Sequence, residues 1–114
     1  MNIYPIRCDG DDVLKYIYPL KQKAAQKAIE LARADSRIKR VIVFGSALTM
    51  KCGMLSDIDI ALDVPDISED DFAHLARPFF IQIPSEVDVV HYNTIKSELL
   101  KQNVEKGVCI YVKQ

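Results

Sequence analysis

The chain has 114 residues, 49% of them hydrophobic and 27% charged, with a formal net charge of −1. That length suits one compact domain, expected to span residues 1–114 and to bury about 60–70% of its unfolded surface. The near-neutral charge provides no broad basic field, which argues against general nucleic-acid binding. No apolar run is long enough to span a bilayer, and Pro5, Arg7 and nearby acids interrupt the N-terminus in a way a signal peptide does not tolerate, so the expected location is the cytoplasm. Cys8, Cys52 and Cys109 are odd in number and widely spaced, which suits small apolar filler better than a disulfide framework or a zinc site.

In chain order, Asp11 and Asp12 are placed to cap and charge a helix that continues in two pieces around Pro19 towards Ala34. Val13, Leu14, Ile17, Leu20, Ala24, Ala28, Ile29, Leu31 and Ala32 carry its apolar periodicity. The lysines between them read as a solvated face, not a basic patch. A first strand is expected over 38–44, a short helix over 46–51 and a second strand over 57–62. Ser68, followed by Glu69, Asp70 and Asp71, starts the next helix, where the acids complement the positive end of the dipole and are not extra metal ligands. Pro78 is expected to end that helix, with 79–83 as a short extended edge. A strand follows over 86–91, and Asn93 or Thr94 is expected to cap a last helix. Its residues Ile95, Leu99, Leu100 and Val104 face inwards, Gly107 stops it, and a strand over 108–112 closes the domain. Strands interleaved with helices predict a small α/β sheet of four or five short strands.

The chemistry concentrates between Val41 and Asp63. Val41, Ile42, Val43 and Phe44 form a β-branched and aromatic run that Gly45 breaks. In Ser56-Asp57-Ile58-Asp59-Ile60, period-two alternation puts Asp57 and Asp59 on one strand face and the isoleucines on the other. Two adjacent carboxylates on a rigid strand repel each other unless a cation lies between them, and a divalent metal with oxygen ligands supplies that cation. Asp57 and Asp59 are therefore candidate metal ligands. Asp63 shares their face farther along and reads as the strand's end, whereas His91 falls on the face opposite Asp88.

The ordered set of an apolar strand, Gly45-Ser46, ten intervening residues and Asp57-Ile58-Asp59 resembles the nucleotidyltransferase superfamily of DNA polymerase β and the kanamycin nucleotidyltransferases. The short chain is similar to the minimal nucleotidyltransferase (MNT) domains encoded beside HEPN-domain toxins. The resemblance covers roughly residues 38–112. It implies a polymerase-β-like α/β palm, with a small mixed sheet and helices mainly on one face. It also implies a third carboxylate on a later strand, and Asp88 in Glu86-Val87-Asp88-Val89-Val90 occupies that position. Many members follow the serine with arginine or another polar residue. Here Ala47, Leu48, Thr49 and Met50 follow, and the first cation is Lys51, whereas Gly53 and Ser56 match the family's habit.

Carried over residue by residue, the resemblance implies that Asp57, Asp59 and Asp88 are catalytic and hold two Mg²⁺ ions, and that Gly45, Ser46 and Lys51 contact the nucleotide. Gly45 would let the backbone approach the triphosphate of ATP, and Ser46 would donate to it at a strand-to-helix turn. The implied reaction moves AMP from ATP to a hydroxyl. With so little chain beyond Asp88, the acceptor is expected on another folded molecule or in a groove completed by another subunit, in a homo- or hetero-oligomer. A HEPN-type toxin is the first expectation for that partner. The alternatives are an antitoxin that neutralises its partner by contact, or a transferase acting on a small, aminoglycoside-like molecule.

Overall fold

The computed structural model describes residue 17 and residues 21–45 and 57–113. The expected helix over 46–51, the segment around Asp11, Asp12 and Pro19, and Ser46, Lys51, Gly53 and Ser56 lie outside them. Four strands, β1 (Arg40–Phe44), β2 (Ile58–Asp63), β3 (Val87–His91) and β4 (Val108–Val112), form one sheet in the order β3-β2-β1-β4. β1 runs antiparallel to both β2 and β4, while β2 and β3 are parallel, so the sheet is mixed. The three helices are α1 (Gln22–Arg33), α2 (Glu69–Gln82) and α3 (Glu98–Glu105).

Alternation along the strands divides the core into two layers. Val41, Val43, Ile58, Ile60 and Leu62 face α1 and α2, where Ala28, Ile29, Phe72, Leu75 and Phe79 complete the larger cluster. Ile42, Phe44, Ala61 and Cys109 face the other way and meet Val104 and Leu100 of α3. The two longer helices thus share one face, and the short α3 covers only part of the other. Asp59 lies on this second face, in register with Phe44 at the end of β1. Gly107 joins α3 to β4 against the sheet: a Cβ there would collide with the Val43 carbonyl oxygen, so only glycine permits the close approach.

Several expected boundaries shift. β1 begins at Arg40 because Ile38 N donates back to Asp35 O at 3.1 Å, which holds the preceding residues in a turn. β2 runs one residue later than expected, to Asp63. Pro78 does not end α2, and residues 79–82 are helical, not an extended edge. The lost backbone bond would have used the carbonyl of His74, an exposed residue where solvent can satisfy it. Continuing the helix buries Phe79, only 1% exposed, and leads to the buried Ile83. Each buried side chain contributes about 1.5–3 kcal/mol, enough to offset a proline cost of about 3 kcal/mol.

The cap of α3 is Ser97, whose hydroxyl accepts from Leu100 N at 3.2 Å, and not Asn93 or Thr94, which belong to a single 3₁₀ turn. Starting the helix later rotates Leu99 outwards, where it is 69% exposed. At α2 the expected cap holds: Ser68 Oγ accepts from Asp71 N at 3.1 Å, and Glu69, Asp70 and Asp71 fill the first turn.

Candidate functional site

The site forms where β1 ends beside the start of β2. Phe44 stands opposite Asp59, and Asp59 stands opposite Asp88 on the far side of β2. Neighbouring strands lie about 4.8 Å apart, so Phe44, Asp59 and Asp88 form one row across the sheet. Asp57 immediately precedes β2, two residues from Asp59, and so shares its face one pleat away. The intervening Ile58 and the following Ile60 are fully buried on the opposite face, which anchors the aspartates' orientation to the core.

Gly45 continues directly from this row with φ +77, a left-handed conformation that favours glycine. It also leaves room for its neighbour, because a Cβ on Gly45 would collide with Oδ2 of Asp59. The glycine thus turns the chain out of β1 and lets the Asp59 carboxylate lie against the backbone.

Asp57 and Asp88 are exposed, and Asp59 is half-buried between them. Burial raises the Asp59 carboxyl above its ordinary value, and the charges of Asp88 and then Asp57 raise it further. Among the described residues, none gives these three carboxylates a hydrogen bond or an ion pair. They supply acceptor oxygens only, the donor chemistry that divalent Mg²⁺ takes. Nevertheless, no group of three or more His, Cys, Asp or Glu able to hold a metal ion is assembled among the described residues. The carboxylates share a face and feel one another electrostatically without forming a closed cage.

The other aspartate on this face of β2 is occupied. Asp63 Oδ2 accepts from Arg40 Nε at 2.6 Å, and its Oδ1 accepts from Asn93 Nδ2 at 2.9 Å. Asn93 Oδ1 in turn accepts from Val64 N at 2.7 Å, and the Arg40 guanidinium lies 5.0 Å from the centre of the Tyr92 ring. This network ties β1, β2 and the turn after β3 together. The role of Asn93 was not legible in the sequence, since its partner is thirty residues away. His91 does lie opposite Asp88, buried against α2, where its ring stacks on Phe72 with centroids 4.1 Å apart.

Residues 26–114 match the family described as polymerase beta, nucleotidyltransferase. The chain belongs to this family. Its nucleotidyltransferase fold is also similar to chains in solved toxin–antitoxin structures. One, a toxin–antitoxin with AMP-PNP, is 27% identical with a TM-score of 0.64, over 79% of this chain and 74% of that one. A chain of the toxin–antitoxin MntA–HepT is 26% identical with a TM-score of 0.59, over 81% of this chain and 73% of that one. A third structure contains a tri-AMPylated Shewanella oneidensis HEPN toxin in complex with an MNT antitoxin. There the identity is 26% and the TM-score 0.60, over 82% of this chain and 73% of the other. No curated protein matches the chain. Among the described residues, no helix of this nucleotidyltransferase domain is long and apolar enough to cross a membrane.

Proposed function

We propose that this nucleotidyltransferase moves AMP from ATP to a hydroxyl on a HEPN-type partner protein and thereby acts as its antitoxin in the cytoplasm. The observation that carries the reading is the row of Phe44, Asp59 and Asp88 with Asp57 beside it: carboxylates with no partner among the described residues, next to a glycine turn that lets Asp59 lie against the backbone. Similarity to chains from complexes with AMP-PNP and with an AMPylated toxin supports both the nucleotide and the partner.

In this reading Asp57, Asp59 and Asp88 would hold two Mg²⁺ ions, which would supply positive charge against the attacking and leaving oxygens. Asp59, set deepest and closest to Gly45, would fix the position of a bound ion relative to β2. Gly45, with no side chain, admits the phosphates to the backbone, and Ser46 and Lys51 add a donor and a cation after the turn. Asp88, exposed at the outer end of the row, faces the side from which an acceptor arrives and is placed to take the hydroxyl proton.

The test is incubation with labelled ATP, Mg²⁺ and the protein encoded in the adjacent reading frame, followed by intact-mass spectrometry. Catalytic amounts of the wild type should add one or more AMP units and silence the partner, and Asp57→Asn should do neither. In the alternative, neutralisation by contact alone, the partner would be bound and left chemically unchanged. Protection by Asp57→Asn at stoichiometric dose, with no added mass, would decide for contact.

A further inference from the structure

Beside the acidic row the sheet ends. Among the described residues β3 pairs with β2 alone, which leaves its other side as an open edge. In a parallel ladder, alternate residues of a strand direct both N–H and C=O towards the same neighbour. Ile58 N donates to Glu86 O at 2.9 Å, so Glu86, Asp88 and Val90 are the residues of this segment that face β2. The N–H and C=O of Val89 and the N–H of His91 therefore point outwards, while His91 O already accepts from Thr94 Oγ1 at 3.4 Å. Both residues line a groove of about 570 Å³ that wraps the edge, between Glu69 and Phe72 of α2 on one side and Ile95 and Lys96 on the other.

His91 is only 7% exposed. Its Nε2 lies 2.8 Å from Val64 O, which can only accept, so Nε2 carries a proton and donates. The other ring nitrogen, Nδ1, is buried and has no hydrogen-bond partner among the described residues. Glu69 Oε1 lies 3.7 Å from it, too far for a hydrogen bond, on a side chain that is 73% exposed and able to swing aside. A nitrogen acceptor and a carboxylate so placed are both served by one cationic N–H donor reaching between them.

We infer that the open edge of β3 and its groove receive an extended segment of the acceptor protein as an added strand, with a lysine or arginine of that segment held between His91 Nδ1 and Glu69. Three observations select this occupant. The outward-facing N–H and C=O of Val89 and N–H of His91 match the repeat of another peptide chain. The exposed carboxylate of Glu69 lines the groove beside His91 and is complementary to a basic side chain. The same edge also passes Asp88, so a strand added here runs alongside the acidic row. Because Asp88 and His91 lie on opposite faces, the hydroxyl-bearing and basic residues of the segment are an odd number of positions apart.

The inference rests on the transfer reading above, and its test separates the two. Amide hydrogen exchange of the intact protein, alone and with the protein encoded in the adjacent reading frame, should show Val89 and His91 exchanging freely alone and protected in the complex. Protection already present without the partner means the chain covers its own edge and overturns the inference, as does no change on adding the partner. Val89→Pro removes one outward N–H at an edge position where proline is tolerated. It should weaken partner binding by about tenfold while leaving ATP affinity, measured by calorimetry without the partner, unchanged. Glu69→Gln should weaken partner binding by a smaller factor, and unchanged partner affinity in both variants overturns the inference. Absence of AMP transfer by the wild type removes the proposed function, whereas the exchange and affinity results still report on docking.

Discussion

Asp59 and Asp63 stand four residues apart on the same face of β2, and their surroundings are opposite. Asp63 is 9% exposed and held by the Arg40 guanidinium and the Asn93 amide. Asp59 is half-buried with no partner among the described residues, and its nearest charges are the like charges of Asp88 and Asp57. A carboxylate that serves the fold is enclosed by donors. One that serves a ligand is held ready at the fold's expense, because burial and repulsion both oppose its charge until a cation arrives.

The comparison is broken most severely at Asp59. Asp59→Asn should reduce AMP transfer by roughly 10³-fold, in line with removing one preorganised electrostatic group. Its thermal unfolding without metal should be unchanged or shifted upward, since a repulsive charge is lost. Transfer at the wild-type rate would show that the row is not catalytic.

Asp63→Ala should do the reverse. Removing one partner of a largely buried pair takes the carboxylate from Arg40 and leaves the Asn93 amide without its acceptor, and urea denaturation should record a loss of about 3 kcal/mol. Activity per folded molecule should survive. If the variant instead stays stable and loses transfer, the division between a structural and a functional aspartate fails.

Gly45→Val sharpens the same boundary from the glycine side. The left-handed backbone alone costs a branched residue about 1–2 kcal/mol, and the new side chain displaces the Asp59 carboxylate. ATP affinity measured by calorimetry with Mg²⁺ should fall by at least about tenfold, one hydrogen-bonded contact's equivalent, while the sheet remains folded. Equal affinity in the two proteins would make the turn purely structural.

The smallest effect is in pH dependence. The Asp59 carboxyl titrates higher in the folded chain than at its ordinary value of 3.8, so between the two values the folded state binds the extra proton. Metal-free stability should therefore fall as pH rises through that window and recover on acidification. Asp35, lowered mainly by its hydrogen bond to Arg37, acts with the opposite sign below 3.8, where its contribution is lost as pH falls. Stability curves of wild type and Asp59→Asn should diverge only above 3.8, and parallel curves would show that Asp59 is not under strain.

The sequence by itself determined the acidic face, the glycine break before it and the amphipathic helices, because strand and helix periodicities are properties of adjacent residues. Asp57 and Asp59 share a face whatever the sheet's order, and Ser68 caps α2 with atoms three residues away. Only the tertiary structure decided which of those features acquired partners. Asp88 comes beside Asp59 through the parallel register of β2 and β3, and Asp63 is paired with Arg40 and hydrogen-bonded by Asn93, both distant in sequence. Pro78 stays helical because core burial of Phe79 outweighs a local preference, and Leu99 turns outwards because the helix starts at Ser97. His91 is left with an unpartnered nitrogen by its contacts with Val64 and Phe72. Registers, ion pairs and orphaned atoms depend on which segments meet, and that is settled by burial summed over the whole chain.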